Sequence, residues 1–236
     1  MNSTRVTLQP AYVLHGRSYR ESSRLLRIFT PEYGKVSLLV KGARGRNSNF
    51  AGTLQPFNRL RVSWVGKSDL KIMTGAELVS APLRLRGNLL FCGLYLNELV
   101  ERFLENQDPH FDLFVHYSEA LQKLADNSDV ELTLRCFEFS LLEETGYGLQ
   151  VEREAESRAA IDADKCYRYQ FGRGPIAAAK GTATVCGATL IGLREKRLEN
   201  AIVLREAKRL MRAAIDYHLG SKPLKSRGLF KPAGTS

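Results

Sequence analysis

The strongest constraint on the fold is a series of short N-terminal segments in which apolar and polar residues alternate. A period of two is typical of β-strands with one buried face. Turn-forming residues separate the segments. Five short strands within about 75 residues fit a small closed barrel better than a sandwich, and the five-stranded OB-fold is the usual closed form of that size. The predicted strands are Thr7–Leu14, Ser23–Thr30, Lys35–Val40, Leu60–Val65 and Leu70–Leu78.

The alternation also assigns side chains to the two faces of each strand. Leu60, Val62 and Trp64 share one face, so Trp64 is expected in the barrel core and not on a surface that stacks bases. Lys41 falls on the face opposite the apolar residues of the third strand. The first strand is expected to end at the turn signal His15-Gly16.

From about Pro82 the apolar residues recur every three or four positions, which predicts α-helices. Three helices are expected up to Gly146, the third capped by Asn127-Ser128-Asp129, and a long helix is expected over Ala201–Leu219. The fold class is therefore α+β, with an N-terminal five-stranded OB-fold barrel followed by a mainly α-helical domain with a small β-hairpin insertion. The predicted domains are 1–80 for the barrel and 81–236 for the helical domain, which divides into an acidic bundle (81–149), an insertion (150–192) and a basic helix and tail (193–236).

Charge is distributed in three blocks. Residues 1–80 hold 13 Lys and Arg against four Asp and Glu, residues 81–165 hold eight against 17, and residues 166–236 hold 14 against four. The two basic blocks are suited to a polyanion, whereas the middle block repels one. The alternative is a protein with ordinary solvated charged faces.

The segment from Lys41 to Phe50 is the most suggestive stretch of the first block. Glycine permits close backbone approach to a phosphate, and Lys41, Arg44 and Arg46 supply positive charge. Phe50 is a candidate for stacking on a base. The alternative is a solvated loop without a partner. A second cationic set recurs at helical spacing on the long C-terminal helix, where it is either a solvated face or a contact for nucleic acid or a partner. This set comprises Arg205, Lys208, Arg209 and Arg212.

Motifs for catalysis, metal binding and membrane insertion are absent from the sequence. It contains no phosphate-binding glycine loop, no His-Glu-x-x-His and no Gly-x-Ser-x-Gly, so we expect no enzyme. The four cysteines lack Cys-x-x-Cys spacing, so neither a metal site nor a cofactor is expected. Because no apolar run approaches the roughly 18 residues of a membrane span, and the N-terminus is polar, we expect a cytoplasmic protein without membrane association.

Several segments spread over nearly the whole chain carry a family resemblance. The longest is the run from Tyr12 to Arg44, which contains Phe29-Thr-Pro-Glu-Tyr-Gly-Lys35. The shorter ones are Leu54-Gln-Pro-Phe57, Gly93-Leu-Tyr-Leu-Asn-Glu-Leu99, Gly146-Tyr-Gly148 and Gly220-Ser-Lys-Pro-Leu-Lys-Ser-Arg-Gly-Leu-Phe230. Together, and in this order, they resemble the bacterial RecO family of recombination-repair proteins.

The resemblance implies an OB-fold, a helical C-terminal domain and no catalytic centre. It implies binding of single- and double-stranded DNA, annealing of complementary strands, and cooperation with RecR in loading RecA onto strands coated by single-stranded DNA-binding protein, in the bacterial cytosol at the nucleoid. Many members carry a four-cysteine zinc ribbon within 150–192, where this chain has only Cys166 and Cys186, so we predict no zinc.

The resemblance also nominates site residues. By motif, Arg17, Lys35, Lys41 and Arg44 are expected to neutralise DNA phosphates. Arg20, Arg46 and Arg61 of the same basic block, and the cations of the long helix, complete the expected DNA contacts.

A separate site is expected to dock the acidic, aromatic-ended tail of single-stranded DNA-binding protein. Its residues are Lys123, Arg135, Phe139 and Leu142. The alternative is that Arg135 pairs with Glu131 or Glu138 on its own helix. Two other functions stay open on the residues alone: an RNA-binding OB-fold protein, and an adaptor that only recruits proteins.

Overall fold

The computed structural model describes residues 5–43, 50, 52–181 and 184–230. The chain forms two compact units. The first comprises residues 1–126 together with 225–236, and the second comprises 127–224. The first unit thus contains two helices in addition to the strands, together with the C-terminal segment. No helix in the described parts of the chain is long and apolar enough to cross a membrane.

The first unit is built on a closed five-stranded barrel. Its strands follow the order β1-β2-β3-β5-β4, and β1 and β4 pair to close it. Neighbouring strands are antiparallel except β3 and β5, which are parallel. This architecture confirms the predicted OB-like barrel and α+β class. The strands are β1 (Arg5–Tyr19), β2 (Ser23–Thr30), β3 (Gly34–Val40), β4 (Arg59–Val65) and β5 (Leu70–Leu78).

The predicted end of β1 at His15-Gly16 is wrong, because the strand continues to Tyr19. The register between β1 and β2 shifts between Val13 and His15, and beyond this shift Gly16 pairs with Leu26. A Cβ at Gly16 would lie 2.8 Å from a methyl group of Leu26, so the glycine permits close packing of two strands and does not form a turn. The β1–β2 turn lies at Arg20, whose φ is 52°.

The barrel interior follows the predicted strand faces. Trp64 is 2% exposed, and its ring packs edge-on against Tyr33 with centroids 5.3 Å apart. The prediction that Trp64 belongs to the core is therefore confirmed. Phe50, which was a candidate for base stacking, packs partly buried against the same core.

Two helices, α1 (Asn88–Phe103) and α2 (Phe111–Ala125), pack against the barrel in the first unit. Asn97 on α1 links all three parts: its amide nitrogen donates to the carbonyl oxygen of Leu14 on β1 at 2.9 Å, and its amide oxygen accepts from the Tyr117 hydroxyl on α2 at 2.5 Å. Because Asn97 is buried and satisfied at both ends of its amide, it specifies how α1 sits on the barrel.

One carboxylate of α1 binds the start of the described C-terminal segment. A 3₁₀-helix over Lys225–Phe230 begins where Glu98 of α1 accepts backbone N–H groups from Lys225 and Ser226, each at 2.8 Å, and the Ser226 hydroxyl at 2.5 Å. Burial acts to raise the pKa of Glu98, but these hydrogen bonds outweigh it and hold the pKa below its ordinary value of 4.5. Glu98 therefore binds the segment as an anion.

We expect Glu98→Ala to release this segment. Hydrogen bonds to a charged group contribute about 1.5 to 3 kcal/mol each, so amide hydrogen exchange at Lys225 and Ser226 should accelerate at least tenfold. Because the folded pKa is depressed, the stabilisation is present above the ordinary value of 4.5 and is lost as pH falls through the folded pKa. Ser226→Ala, which removes one of the three bonds, should have a smaller effect. Unchanged exchange in Glu98→Ala would contradict the assignment.

In the second unit, the described residues form three helices and a small sheet. The sheet has the order β7-β6-β8, and β6 and β7 form the predicted hairpin. The Asn200 side chain caps α5 by accepting N–H groups from Ile202 and Val203. Asp129 precedes α3 without a side-chain cap, so that part of the sequence prediction is wrong. The elements are α3 (Val130–Glu144), β6 (Cys166–Gln170), β7 (Gly174–Ala177), β8 (Val185–Cys186), α4 (Gly187–Arg194) and α5 (Ala201–Leu219).

Candidate nucleic-acid interface

The outward residues of β1, β2 and β3 that α1 does not cover form one surface together with Arg20 of the β1–β2 turn, and we call it the three-strand face. The strand register aligns its residues in rungs across the three strands. The first rung is His15, Arg27 and Ser37; the second is Arg17, Leu25 and Leu39; the third is Tyr19 and Ser23, with Lys41 directly after the end of β3.

Three cations of this face are exposed to solvent. Arg17 and Lys41 are exposed, and the Arg20 guanidinium lies over the Tyr19 ring, 5.3 Å from its centroid. Tyr19, Lys41 and the β1–β2 turn line an open concavity of about 810 Å³. Cations neutralise phosphates and an aromatic ring stacks on bases, so the face combines the two groups that single strands require. Tyr19 was missed in the sequence because it lies between the first two predicted strands, Thr7–Leu14 and Ser23–Thr30.

The fourth cation of the face, Arg27, is committed to the fold. Its guanidinium bonds to the Glu101 carboxylate of α1, to the Ser37 hydroxyl at 2.5 Å and to the Asn106 side chain at 2.6 Å. These bonds tie β2 to β3 and α1 within the first unit. Arg27 therefore shapes one end of the three-strand face but has its donors occupied.

Lys35 does not lie on a surface. It is 5% exposed, and its Nζ donates to the Glu101 carbonyl oxygen at 2.5 Å. Burial lowers its pKa, and the nearby Glu101 charge opposes that shift. The expected contact between Lys35 and a phosphate is therefore replaced by a structural role, because α1 covers this position of β3.

Arg61, another predicted contact of the barrel, lies apart from the three-strand face. Arg61 is exposed on β4, opposite Pro10 of β1, and lies 3.8 Å from Glu77. Arg44 and Arg46 lie outside the described residues.

In the second unit the four predicted cations of α5 fall into two groups. Lys208 binds the Glu131 carboxylate of α3 at 2.8 Å, and Arg209 donates to the Thr184 carbonyl oxygen. Arg205 and Arg212 are exposed. Arg209 is exposed as well and the Lys208 side chain is 45% exposed, so all four members of the predicted stripe reach solvent, while Lys208 and Arg209 also connect α5 to α3 and to the residue before β8.

The residues predicted to dock a peptide tail do not form an exposed pocket. Arg135 is 3% exposed, Phe139 and Leu142 are enclosed in the second unit, and Lys123 belongs to the first unit. The Arg135 guanidinium lies 2.5 Å from Glu138 and 3.7 Å from Glu131. The alternative pairing on its own helix is thus the arrangement observed, because α3 is buried on most of its circumference.

Two of the four cysteines face each other in the sheet of the second unit. Cys166 and Cys186 are register partners across β6 and β8, and Glu206 accepts the backbone N–H of Cys186 at 2.8 Å. Burial raises the pKa of the Cys186 thiol, and the Glu206 charge adds to the shift. Among the residues that the structure describes, no three His, Cys, Asp or Glu side chains are grouped to hold a metal ion.

We therefore expect the purified protein to contain no stoichiometric zinc. Two thiols fall short of the four ligands of a structural zinc site, so a chelator should leave the melting temperature unchanged. Elemental analysis and a thermal scan with and without chelator check this. About one zinc per chain, together with a lower melting temperature after chelation, would refute it.

Comparison with known proteins gives a consistent result over the whole chain. Residues 1–82 match the family model described as "Recombination protein O N terminal", and residues 84–228 match "Recombination protein O C terminal". A DNA repair protein RecO of Methylococcus capsulatus is 46% identical over 228 residues, covering 97% of this chain and 94% of the relative. Those of Coxiella burnetii and Nitrosococcus oceani are 41% and 44% identical, covering 95% and 96% of this chain and 98% and 94% of theirs.

Proposed function

This chain belongs to the RecO family of DNA repair proteins, a non-catalytic family, and from that premise we propose that it is a DNA-binding recombination mediator. In this role it binds single- and double-stranded DNA and anneals complementary strands. With RecR, it helps to load RecA onto single-stranded DNA coated by single-stranded DNA-binding protein, in the bacterial cytoplasm.

The observation that carries the proposal is the three-strand face. It presents Arg17, Arg20 and Lys41 beside an aromatic ring on the strands that OB-folds use for oligonucleotides. The cations suit contact with phosphates, and the Tyr19 ring suits stacking on a base. Such a surface holds a strand without selecting its sequence, which suits a protein that must act wherever DNA is damaged.

Annealing follows from the same kind of contact. Positive charge lowers the repulsion between two phosphate backbones, and weak sequence preference leaves the base edges free to find their complements. Recruitment by the acidic tail of single-stranded DNA-binding protein remains part of the proposal, but its contact surface lies elsewhere than at the enclosed Arg135, Phe139 and Leu142.

The test is to measure binding of single-stranded DNA, duplex DNA and RNA at two salt concentrations, together with the annealing rate of complementary oligonucleotides. We expect tight, salt-dependent binding of single-stranded DNA and annealing faster than the spontaneous rate. RecA filament formation on strands coated by single-stranded DNA-binding protein should require both this protein and RecR. Preference for RNA without annealing would instead favour the RNA-binding alternative, and absence of nucleic-acid binding would favour the adaptor.

A further inference from the structure

The second unit carries a connected group of aromatic rings on its surface. Phe171 and Tyr217 are stacked with centroids 5.0 Å apart and ring planes 22° apart. Tyr147 and His218 lie 4.6 Å apart at 35°. An edge contact of 5.0 Å between Tyr217 and His218 joins the two pairs. We call these four residues the aromatic platform.

The two tyrosines of the platform are exposed although they are in contact with other rings. Tyr217 is 58% exposed and Tyr147 is 45% exposed. Burial of aromatic side chains stabilises a fold, so two tyrosines that stay about half exposed contribute less than their full stabilisation. Exposed aromatic rings that lie together are typical of a binding surface. Phe171 and His218 already restrict the two exposed rings. The tyrosine side chains therefore lose little further conformational entropy when a ligand binds to them.

Different parts of the chain converge to build the platform. Tyr147 stands between two glycines after α3, Phe171 is the first residue of the hairpin turn after β6, and Tyr217 and His218 lie in the last turn of α5. The Gly146-Tyr147-Gly148 motif thus has a defined place in the structure. No single segment of the sequence contains more than two of the four rings.

The segment that supplies three of the four rings is basic. Residues 166–224 contain 11 Lys and Arg against four Asp and Glu, whereas residues 127–165, which supply Tyr147, contain four against ten. Arg173 is exposed in the hairpin turn two residues after Phe171, and its ion pair with Glu156 is a long one of 3.6 Å between two exposed side chains. An exposed ion pair of this length contributes little to stability, so a phosphate can replace Glu156 as the partner of Arg173 at little energetic cost.

We propose that the aromatic platform stacks unpaired bases of single-stranded DNA, as a second contact in addition to the three-strand face. Base–aromatic stacking is independent of sequence because every base has a π-face. In a duplex the base faces are already covered, so the platform distinguishes single strands from duplex, which phosphate contacts alone do less well. This inference rests on the proposed function, since it requires a protein that binds DNA.

The experiment compares the full-length wild type with Tyr147→Leu/Tyr217→Leu and with the control Tyr147→Phe/Tyr217→Phe. The probes are a 20-nucleotide dT strand, an abasic strand of equal length and charge, and a duplex. The leucine variant should bind the dT strand at least about tenfold more weakly, because each stacked base contributes a factor of about five or more. Its affinity for the abasic strand and the duplex, and its salt slope, should not change. The phenylalanine variant should bind all three probes like the wild type.

The outcomes separate this inference from the proposed function. If the wild type binds none of the probes, the proposed function fails. If the wild type binds the dT strand and the leucine variant binds it equally well, the platform is not a base-stacking site. Equal losses for the dT and abasic strands would also overturn the inference, because they would show that the rings support the fold or a phosphate contact. A variant that keeps its DNA affinity but no longer binds RecR would make the platform a protein contact.

Discussion

Arg135→Ala is expected to lower the free energy of unfolding by about 3 to 5 kcal/mol, because it leaves the Glu138 carboxylate buried without its main cationic partner. Arg135 is 3% exposed and Glu138 is fully buried, with 2.5 Å between the charged atoms. Urea unfolding followed by circular dichroism measures the change. A loss of this size would explain reduced partner binding in an Arg135 variant without any direct contact to the partner.

A double substitution provides the control. Arg135→Met/Glu138→Leu removes both charges and fills the space with apolar side chains, which is often neutral or stabilising for a buried pair. We therefore expect the double variant to be much more stable than Arg135→Ala. If Arg135→Ala unfolds like the wild type, the guanidinium is not essential in the core, and a role for Arg135 on the surface becomes possible again.

The second large effect is expected on DNA binding. Arg17→Ala/Arg20→Ala/Lys41→Ala should weaken binding of single-stranded DNA by roughly 10- to 100-fold at low salt. It should also reduce the slope of log affinity against log salt by about 2, since each phosphate contact to a single strand contributes about 0.7. A series of titrations from low to moderate salt measures both quantities.

A matched triple variant distinguishes the three-strand face from net charge. Arg5→Ala/Arg59→Ala/Arg61→Ala also removes three exposed cations, but from the start of β1 and from β4. We expect it to retain most of the affinity and the salt slope. Equal losses in the two variants would mean that DNA responds to the total charge of the barrel, and would return Arg61 to the set of DNA contacts.

Local pattern was sufficient to predict most of the architecture. Alternation placed β2 and β5 at their observed bounds, and helical spacing did the same for α5. It also placed Trp64 in the barrel core. These features depend on neighbours within a few residues, because the pleat of a strand and the turn of a helix decide which side chains share a face. The excess of Lys and Arg over Asp and Glu in residues 1–80 likewise predicted that the barrel is basic.

The roles of individual charges were decided by tertiary structure. Periodicity shows which residues share a face, but it does not show whether a second layer covers that face. Lys35 is on the outer side of β3 in a pattern typical of solvent contact, yet α1 lies over it. Arg135 belongs to a helix that is enclosed on most sides. The continuation of β1 past Gly16 likewise rests on pairing with a neighbouring strand, where Gly16 lies against Leu26 of β2.

The aromatic platform shows the same division. The sequence by itself determined that Tyr147 stands between two glycines and that Tyr217 and His218 close a long helix. Only the tertiary structure brought them together with Phe171, because the contacts join residues up to 71 positions apart. Strand and helix patterns arise from short-range backbone geometry, so the spacing of apolar residues predicts them. Surfaces that bind a ligand arise from long-range packing, and the spacing of residues along the chain does not predict which segments pack together.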